Sequence, residues 1–237
     1  MTCVASVAAD RTIYNQHIAT IQRIFLNVEE GLSYQYHGVW NFVLQALAAL
    51  YDTCGPHGSN FLTKSLEKLA ALRESEQFPF KADLDYAFGR AIRKIGVPKV
   101  LRVVPLKINP SNYPLDLSRS WLIPLLHNSV QNTQLAFFAS QILPLASQLR
   151  SLSAAVRLTG DTSGAHSCDI LQRQLWSLLP GFCTRPTDLP DSLKDLAPIL
   201  GKALDERPDL HLDVMAALRN LVMKNTDSEV NEAKTAR

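Results

Sequence analysis

The chain has 237 residues, of which 46% are hydrophobic and 19% are charged. This balance excludes wholesale disorder and indicates one or two folded domains with a sizeable core. The formal net charge is only +2, but residues 86–160 carry nine basic residues against one acid, which permits a basic face on a nearly neutral chain.

The first part of the chain predicts amphipathic helices separated by short turns. The first ten residues carry no pattern, and Asp10 can cap a helix that runs to a break at Gly31. Gly55 followed by Pro56, and later Gly96, are typical of helix ends. The further helices predicted here cover residues 39–51, 59–73, 83–95 and 98–104.

A long ordered loop is predicted from Pro105 to Arg119, because prolines and an Asn-Pro-Ser-Asn cluster recur in it. A strand within residues 100–108 stays an alternative, although no partner strand is visible. The proline at position 144 predicts a kink in the helix around it. The helices predicted after the loop begin at Ser118 or Ser120 and then cover residues 133–158, 168–179, 188–204 and 208–223, with a surface loop at 159–165.

Helices of this length without a strand pattern predict an all-α fold. An apolar-proline signature at Pro124 and Pro144 returns at Pro180 and Pro198, after 56 and 54 residues. We interpret the chain as an α-solenoid of irregular HEAT/armadillo-like helical-hairpin repeats. The predicted domain covers 1–224, with sub-boundaries near 105–119 and 159–165, and a polar, disordered tail covers 225–237.

Residues 175–189 predict a buried corner between two helices. Pro180 and Gly181 are expected to stop the first helix, and Thr187 or Asp188 to cap the next. A local ion pair between Arg185 and Asp188 is favoured over contact with a ligand. The motif residues of this corner are Leu179, Pro180, Gly181, Phe182, Cys183, Thr184, Arg185, Pro186 and Asp188.

The run LLPGFCTRPTDL in this corner resembles the central part of the family of the nucleolar ribosomal-RNA-processing protein twelve. Segments 105–124, 137–146 and 206–210 resemble the same family in the same order, so the likeness covers roughly residues 40–224. It implies HEAT-like repeats, a nuclear and nucleolar location, and a scaffold that binds pre-ribosomal particles, with nuclear transport factors as further partners. Members of that family are much longer chains, so the resemblance also implies a fragment, alternative product or truncated form.

No catalytic, cofactor or metal site is predicted. Cys54 and His57 have metal-ligand spacing on one side only, whereas a structural zinc site needs four ligands. His166 and Cys168 lie close together without the signature of a nucleophile. The four cysteines show no disulfide framework, so buried, reduced thiols are expected. The most apolar helix is shorter than the about 20 residues that span a bilayer, so membrane insertion is not expected. Since no catalytic or cofactor motif occurs, a small-molecule substrate is not expected either.

The basic stretch is the best candidate for binding RNA or a protein partner. Arg90, Arg93 and Lys94 share one side of a predicted helix, and such a ridge can hold phosphates. A solvated helix face, or contact with an acidic protein, is the alternative. The favoured hypothesis is a non-enzymatic scaffold that binds ribosomal RNA or assembly proteins. One alternative is a transport-type adaptor that binds a transport receptor or small GTPase without RNA. The other alternative is an enzyme with Cys or His chemistry. The candidate residues are Arg90, Arg93, Lys94, Lys99, Arg102 and Lys107.

Overall fold

A computed structural model describes residues 2–57 and 60–235, and the side chains of 3–57 and 60–225. Every regular element in these ranges is helical, which confirms the all-α prediction. The structure divides the chain into two compact units, Met1–Leu106 and Lys107–Arg237. This division falls at the start of the proline-rich segment. The predicted limits of the helical-repeat domain, residues 1–224, stay a prediction.

The first unit consists of helices joined by short turns, as the apolar spacing predicts. Asp10 caps the helix Arg11–Gln16, because its carboxylate accepts the backbone N–H of Thr12 at 2.6 Å and that of Ile13 at 3.3 Å. The predicted start of the helix 59–73, at Ser59, lies outside the described residues. The helices of this unit are α1 (Thr2–Ala8), α2 (Arg11–Gln16), α3 (Ile18–Glu30), α4 (Trp40–Cys54), α5 (Asn60–Glu74), α6 (Lys81–Ile95) and α7 (Val97–Val103), with 3-10 turns at Tyr34–Val39 and Gly55–His57.

Two predictions for this unit need correction. A helix, α1, lies in the first ten residues, where no pattern was expected. The single helix expected after Asp10 is divided at His17, whose φ of −105° and ψ of 9° are not helical. The apolar positions continue across this break, so their spacing alone does not reveal it.

Helices α4 and α6 run side by side in the same direction. Trp40 at the start of α4 stacks on Phe78, just before α6, with ring centroids 5.1 Å apart, while Asp52 late in α4 contacts Arg90 late in α6. Beyond the end of α4 the two backbones approach closely, since a Cβ added at Gly55 would lie 2.6 Å from the Cβ of Lys94. This close approach accounts for a glycine at position 55.

Helices α3 and α5 form a second parallel pair. The rings of Phe25 in α3 and Phe61 at the start of α5 lie 5.4 Å apart, and Glu29 near the end of α3 contacts Lys68 farther along α5. The α3–α4 hairpin therefore packs on the α5–α6 hairpin, closely between α4 and α6 and through side-chain contacts between α3 and α5. Stacking of successive hairpins in this way is the packing of a helical repeat.

The second unit begins with an extended segment and is otherwise helical. The hydroxyl of Tyr113 in that segment donates a hydrogen bond to Asp161, which ties the segment to the start of the helix Thr162–Trp176. Residues 105–119 contain no helix or strand, so the predicted loop is confirmed. The helices of this unit are α8 (Leu122–Ser129), α9 (Leu135–Phe137), α10 (Leu143–Leu158), α11 (Thr162–Trp176), α12 (Leu179–Phe182), α13 (Asp191–Glu206) and α14 (His211–Thr235), with a π-helical segment at Phe138–Ile142 and a 3-10 turn at Pro208–Leu210.

A π-helical segment lies directly before α10, beside Pro144, where a kink was predicted. Pro144 lies in the first turn of α10, directly after the π-helical segment, and it has no backbone N–H to donate to a carbonyl of that segment. The wider π turn directly before it accommodates the change in the hydrogen-bond ladder. The backbone of the predicted long helix stays helical from residue 135 to residue 158, and only its α-type hydrogen-bond pattern changes before Pro144.

The loop expected at 159–165 is wrong in its extent. Helix α11 begins at Thr162, because the carboxylate of Asp161 accepts the backbone N–H of Gly164 at 2.8 Å and caps it. Only a short turn joins α10 to α11. The last helix, α14, continues to Thr235. Residues 236–237 and the side chains of 226–235 lie outside the described residues, so the disorder expected of the tail stays a prediction.

No helix in the described ranges is both long and apolar enough to cross a membrane.

Candidate functional site

The structure separates the six predicted basic residues by what they contact. The guanidinium of Arg90 forms an ion pair with Asp52, and its Cζ lies 5.8 Å from the centre of the Tyr86 ring. Arg93 is half-buried and also engaged in a contact within the protein. Arg90 therefore contributes to packing within the first unit, and neither arginine is freely available to a partner.

Three of the six lie on the surface of the first unit. Lys94 is in the last turn of α6, and Lys99 and Arg102, three residues apart, share one side of α7. All three are exposed, and no acid partner is described for them in the resolved side chains. We call these three residues the basic face.

Lys107 belongs to the second unit, at the start of the extended segment. It is exposed and adopts a φ of 59°. The backbone N–H of Ser118, with smaller contributions from Lys107 and Arg119, lowers the pKa of Asp116. Lys107 thus takes part in the local electrostatics of the segment that follows it.

The corner of the second unit differs from the prediction at Pro180 and Gly181. Pro180 does not stop a helix but lies in the first turn of α12, where its missing N–H is tolerated. Gly181 is helical and has no positive φ. A Cβ at this position would lie 3.0 Å from the backbone oxygen of Val130, so the glycine is needed for close approach of two segments.

Two backbone hydrogen bonds join the corner to the segment between α8 and α9. The N–H of Asn132 donates to the carbonyl of Thr184 at 3.0 Å, and the N–H of Thr187 donates to the carbonyl of Thr133 at 3.1 Å. Asn132 and Arg185 adopt positive φ values of 50° and 52° beside these bonds. The corner is therefore paired with a segment about 50 residues earlier in the chain.

Asp188 caps a helix, but not the one that follows it. Its two carboxylate oxygens accept the backbone N–H groups of Leu135 at 2.7 Å and Ala136 at 2.8 Å, at the start of α9. The helix after the corner, α13, begins at Asp191 instead. The structure describes no ion pair between Asp188 and Arg185, so the predicted local pair is wrong.

The remaining motif residues hold the corner in the core. Phe182 packs against Phe138, with ring centroids 5.4 Å apart, and Phe138 in turn packs against Trp176. Cys183 is fully buried, which raises the pKa of its thiol to about 12. Asn220 of α14 donates to the carbonyl of Pro180 at 2.8 Å and joins a third segment to the corner.

The cysteine and histidine pairs noted in the sequence have structural surroundings. Burial raises the pKa of the Cys54 thiol to about 11. His57 stacks on Tyr14 with centroids 3.9 Å apart, and its Nε2 donates to the carbonyl of Ala8 at 2.8 Å. Cys168 is buried as expected, whereas Cys3 is exposed and corrects the expectation of four buried thiols. No cluster suited to a metal ion occurs among the described residues.

The sequence analysis did not identify a groove in the second unit that several arginines line. Arg150, Gln172 and Arg207 lie in both of its two cavities. Arg207 belongs to segment 206–210, which carried part of the family resemblance. No periodicity brings these residues together, because they come from α10, α11 and the turn after α13.

Comparisons with known proteins agree with the stacked hairpins. Residues 1–237 match the family described as "Ribosomal RNA-processing protein 12, HEAT repeats". The human RRP12-like protein is 44% identical over 218 residues, which are 92% of this chain and 17% of that protein. The putative ribosomal RNA-processing protein 12 of Schizosaccharomyces pombe is 34% identical over 184 residues, which are 77% of this chain and 16% of that protein.

The Saccharomyces cerevisiae ribosomal RNA-processing protein 12 is more distant, at 26% identity over 235 residues. The chain spans about a sixth of the length of the curated relatives it matches first. The repeat type of the matching family confirms the predicted fold class, an all-α chain of the HEAT-type solenoid class.

Proposed function

Because this chain belongs to the ribosomal RNA-processing protein 12 HEAT-repeat family, we propose that it is part of a non-enzymatic scaffold in ribosome biogenesis. The observation that carries the proposal is the family match over the whole chain, together with relatives named for ribosomal RNA processing. In this role the chain binds pre-ribosomal particles in the nucleus and nucleolus. Helical repeats suit such a role, because they offer long surfaces for partners.

The basic face is the part of the first unit that we propose contacts RNA. Lys94, Lys99 and Arg102 are exposed and have no described acid partner, so their charges are available to phosphates. Contact with phosphates supplies affinity that does not depend on sequence and that weakens with salt. Arg90 and Arg93, which the sequence placed on the same ridge, are used inside the protein and are left out of the proposal.

The test is binding of the purified chain to structured ribosomal-precursor RNA across a series of salt concentrations. The variant changes Lys94, Lys99 and Arg102 together to Glu. Each phosphate contact contributes a slope of about 0.7–0.9 to the dependence of log affinity on log salt. Loss of three contacts should therefore lower the slope by roughly 2–3 and weaken binding at every salt concentration.

The matched control changes Arg11, Arg23 and Lys64 to Glu, because these residues are also exposed in the first unit and the net charge changes equally. An equal loss of affinity in both variants would show that only net charge matters and would refute the basic face. A folded chain that binds no RNA, but that binds a transport receptor or a small GTPase, would instead favour the protein adaptor.

A further inference from the structure

The groove in the second unit consists of two adjoining cavities of about 300 and 270 Å³. The larger cavity has an apolar side, which Leu143, Ala146 and Ile199 line. The smaller cavity is lined mainly by polar and charged groups. We call the two cavities together the arginine groove, defined by the residues they share: Arg150, Gln172 and Arg207.

Arg207 is held in position at the centre of the arginine groove. Its guanidinium donates to both carboxylate oxygens of Asp209, at 2.9 and 2.6 Å, and to Oε1 of Gln172 at 3.1 Å. Gln172 is only 3% exposed, so it fixes the guanidinium from beneath. A guanidinium ordered in advance loses little entropy when it binds an anion.

Two further arginines border the groove, and no hydrogen bond from either guanidinium to a carboxylate is described. No bond is described for the guanidinium of Arg150. Arg173 has one described hydrogen bond, a long one of 3.4 Å from its Nε to the backbone carbonyl of Asp169, and its positive charge makes a small contribution to the lowered pKa of Asp209. The carboxylate of Asp169 is already bound by Arg157 at 2.7 Å. Charge-assisted donors therefore remain available at the end of the groove that Arg150 and Arg173 border.

Its apolar side distinguishes this groove from a site for nucleic acid. Ile199 is 38% exposed, so an apolar partner can cover it, whereas Trp176 is only 7% exposed and presents no ring face for a base. Asp169, Glu206 and Asp209 also lie along the groove and would repel a continuous line of phosphates. A single carboxylate beside an apolar side chain matches both the charges and the apolar side.

From this arrangement we propose that the arginine groove binds a short peptide segment of a partner protein in which an acidic residue is adjacent to a large aliphatic residue. The acidic side chain pairs with Arg150 and Arg173 beside the fixed Arg207. The aliphatic side chain covers Ile199 and the half-buried Leu143. This site is distinct from the basic face and does not depend on RNA contact there.

The test is fluorescence polarisation of a short fluorescein-labelled peptide in which leucines are flanked by glutamates, added to the purified full chain. Saturable binding is expected. The double variant Arg150→Glu with Arg173→Glu should weaken it about tenfold or more, which corresponds to about 1.4 kcal/mol. Both arginines are exposed, so the variant should keep its helical circular dichroism.

Matched peptides separate the two parts of the proposed contact. Replacement of the glutamates by glutamines should abolish the effect of the arginine changes. Ile199→Ser should weaken the leucine peptide several-fold and leave a peptide with serines in place of the leucines unaffected. The control variant Arg219→Glu removes an exposed charge on α14, away from the residues that line the groove, and should bind normally.

Three outcomes would overturn the proposal. One is that the folded chain does not bind the peptide, and another is equal loss in the Arg219→Glu control. The third is tighter binding of single-stranded RNA that displaces the peptide and that also depends on Arg150 and Arg173, because the groove would then be a nucleic-acid site.

Discussion

Replacement of Asp188 by Ala should destabilise the second unit at the start of α9, the helix that Asp188 caps. The change removes two charge-assisted hydrogen bonds, to the N–H groups of Leu135 and Ala136. Leu135 is fully buried, so water cannot easily replace its lost acceptor, whereas Ala136 is exposed. Loss of a helix cap costs about 0.5–2 kcal/mol and a bond to a charged group about 1.5–3 kcal/mol, so we expect a loss of about 2–3 kcal/mol.

The assay combines urea unfolding with hydrogen exchange of individual backbone amides. A local loss of about 2 kcal/mol corresponds to roughly 30-fold faster exchange, since 1.4 kcal/mol is a factor of ten. This acceleration should appear at Leu135 and Ala136 and not in the first unit. Asp188→Asn keeps one acceptor oxygen and should lose about half as much stability.

The control is Asp195→Ala, because Asp195 is exposed on α13 and no bond is described for its side chain. It should change stability by less than about 0.5 kcal/mol. If Asp188→Ala costs no more than this control, or if the amides of Leu135 and Ala136 keep their protection, then Asp188 does not cap α9 and the reasoning is refuted.

Two further predictions concern the same corner and the thiols. Gly181→Ala should lower the free energy of unfolding in urea by about 1–3 kcal/mol, because the added Cβ would press on the backbone of Val130. Gly201→Ala in α13 has open space around the added Cβ and should raise the free energy of unfolding by about 0.5–1 kcal/mol. Equal effects of the two changes would contradict the close approach at Gly181. At pH 8 an alkylating reagent should modify exposed Cys3 rapidly but leave Cys183 protonated and unmodified, since the pKa of its buried thiol is about 12; mass spectrometry that finds Cys183 modified in the folded chain would contradict its burial.

Local rules were sufficient to predict most helices of this protein. Periodic apolar residues, the cap at Asp10 and the end at Gly96 act within a few residues, so the sequence around them contains the signal. The error at 159–165 has a similar origin. Its small polar residues suggest a loop, but Asp161 accepts the N–H of Gly164 and starts a helix among them.

Contacts between distant residues account for what could not be predicted. Spacing placed Arg90 on a free ridge, but its partner Asp52 lies 38 residues earlier in the chain. The apolar residues Phe182 and Cys183 predicted that the corner is buried. They did not predict that the Asp188 carboxylate accepts a backbone N–H that lies 53 residues away. The arginine groove depends on a bond between Gln172 and Arg207, which are 35 residues apart and share no motif.

The pairing of the corner with the segment before α9 also sets an order of events during synthesis. Leu135 emerges from the ribosome 53 residues before the carboxylate that caps its helix. At about 5–20 residues per second, α9 waits roughly 3–10 s for that cap. During this interval the contacts that bury Leu135 and Phe138 are incomplete. Nascent chains halted before residue 188 should therefore be far more sensitive to protease than chains halted well beyond it.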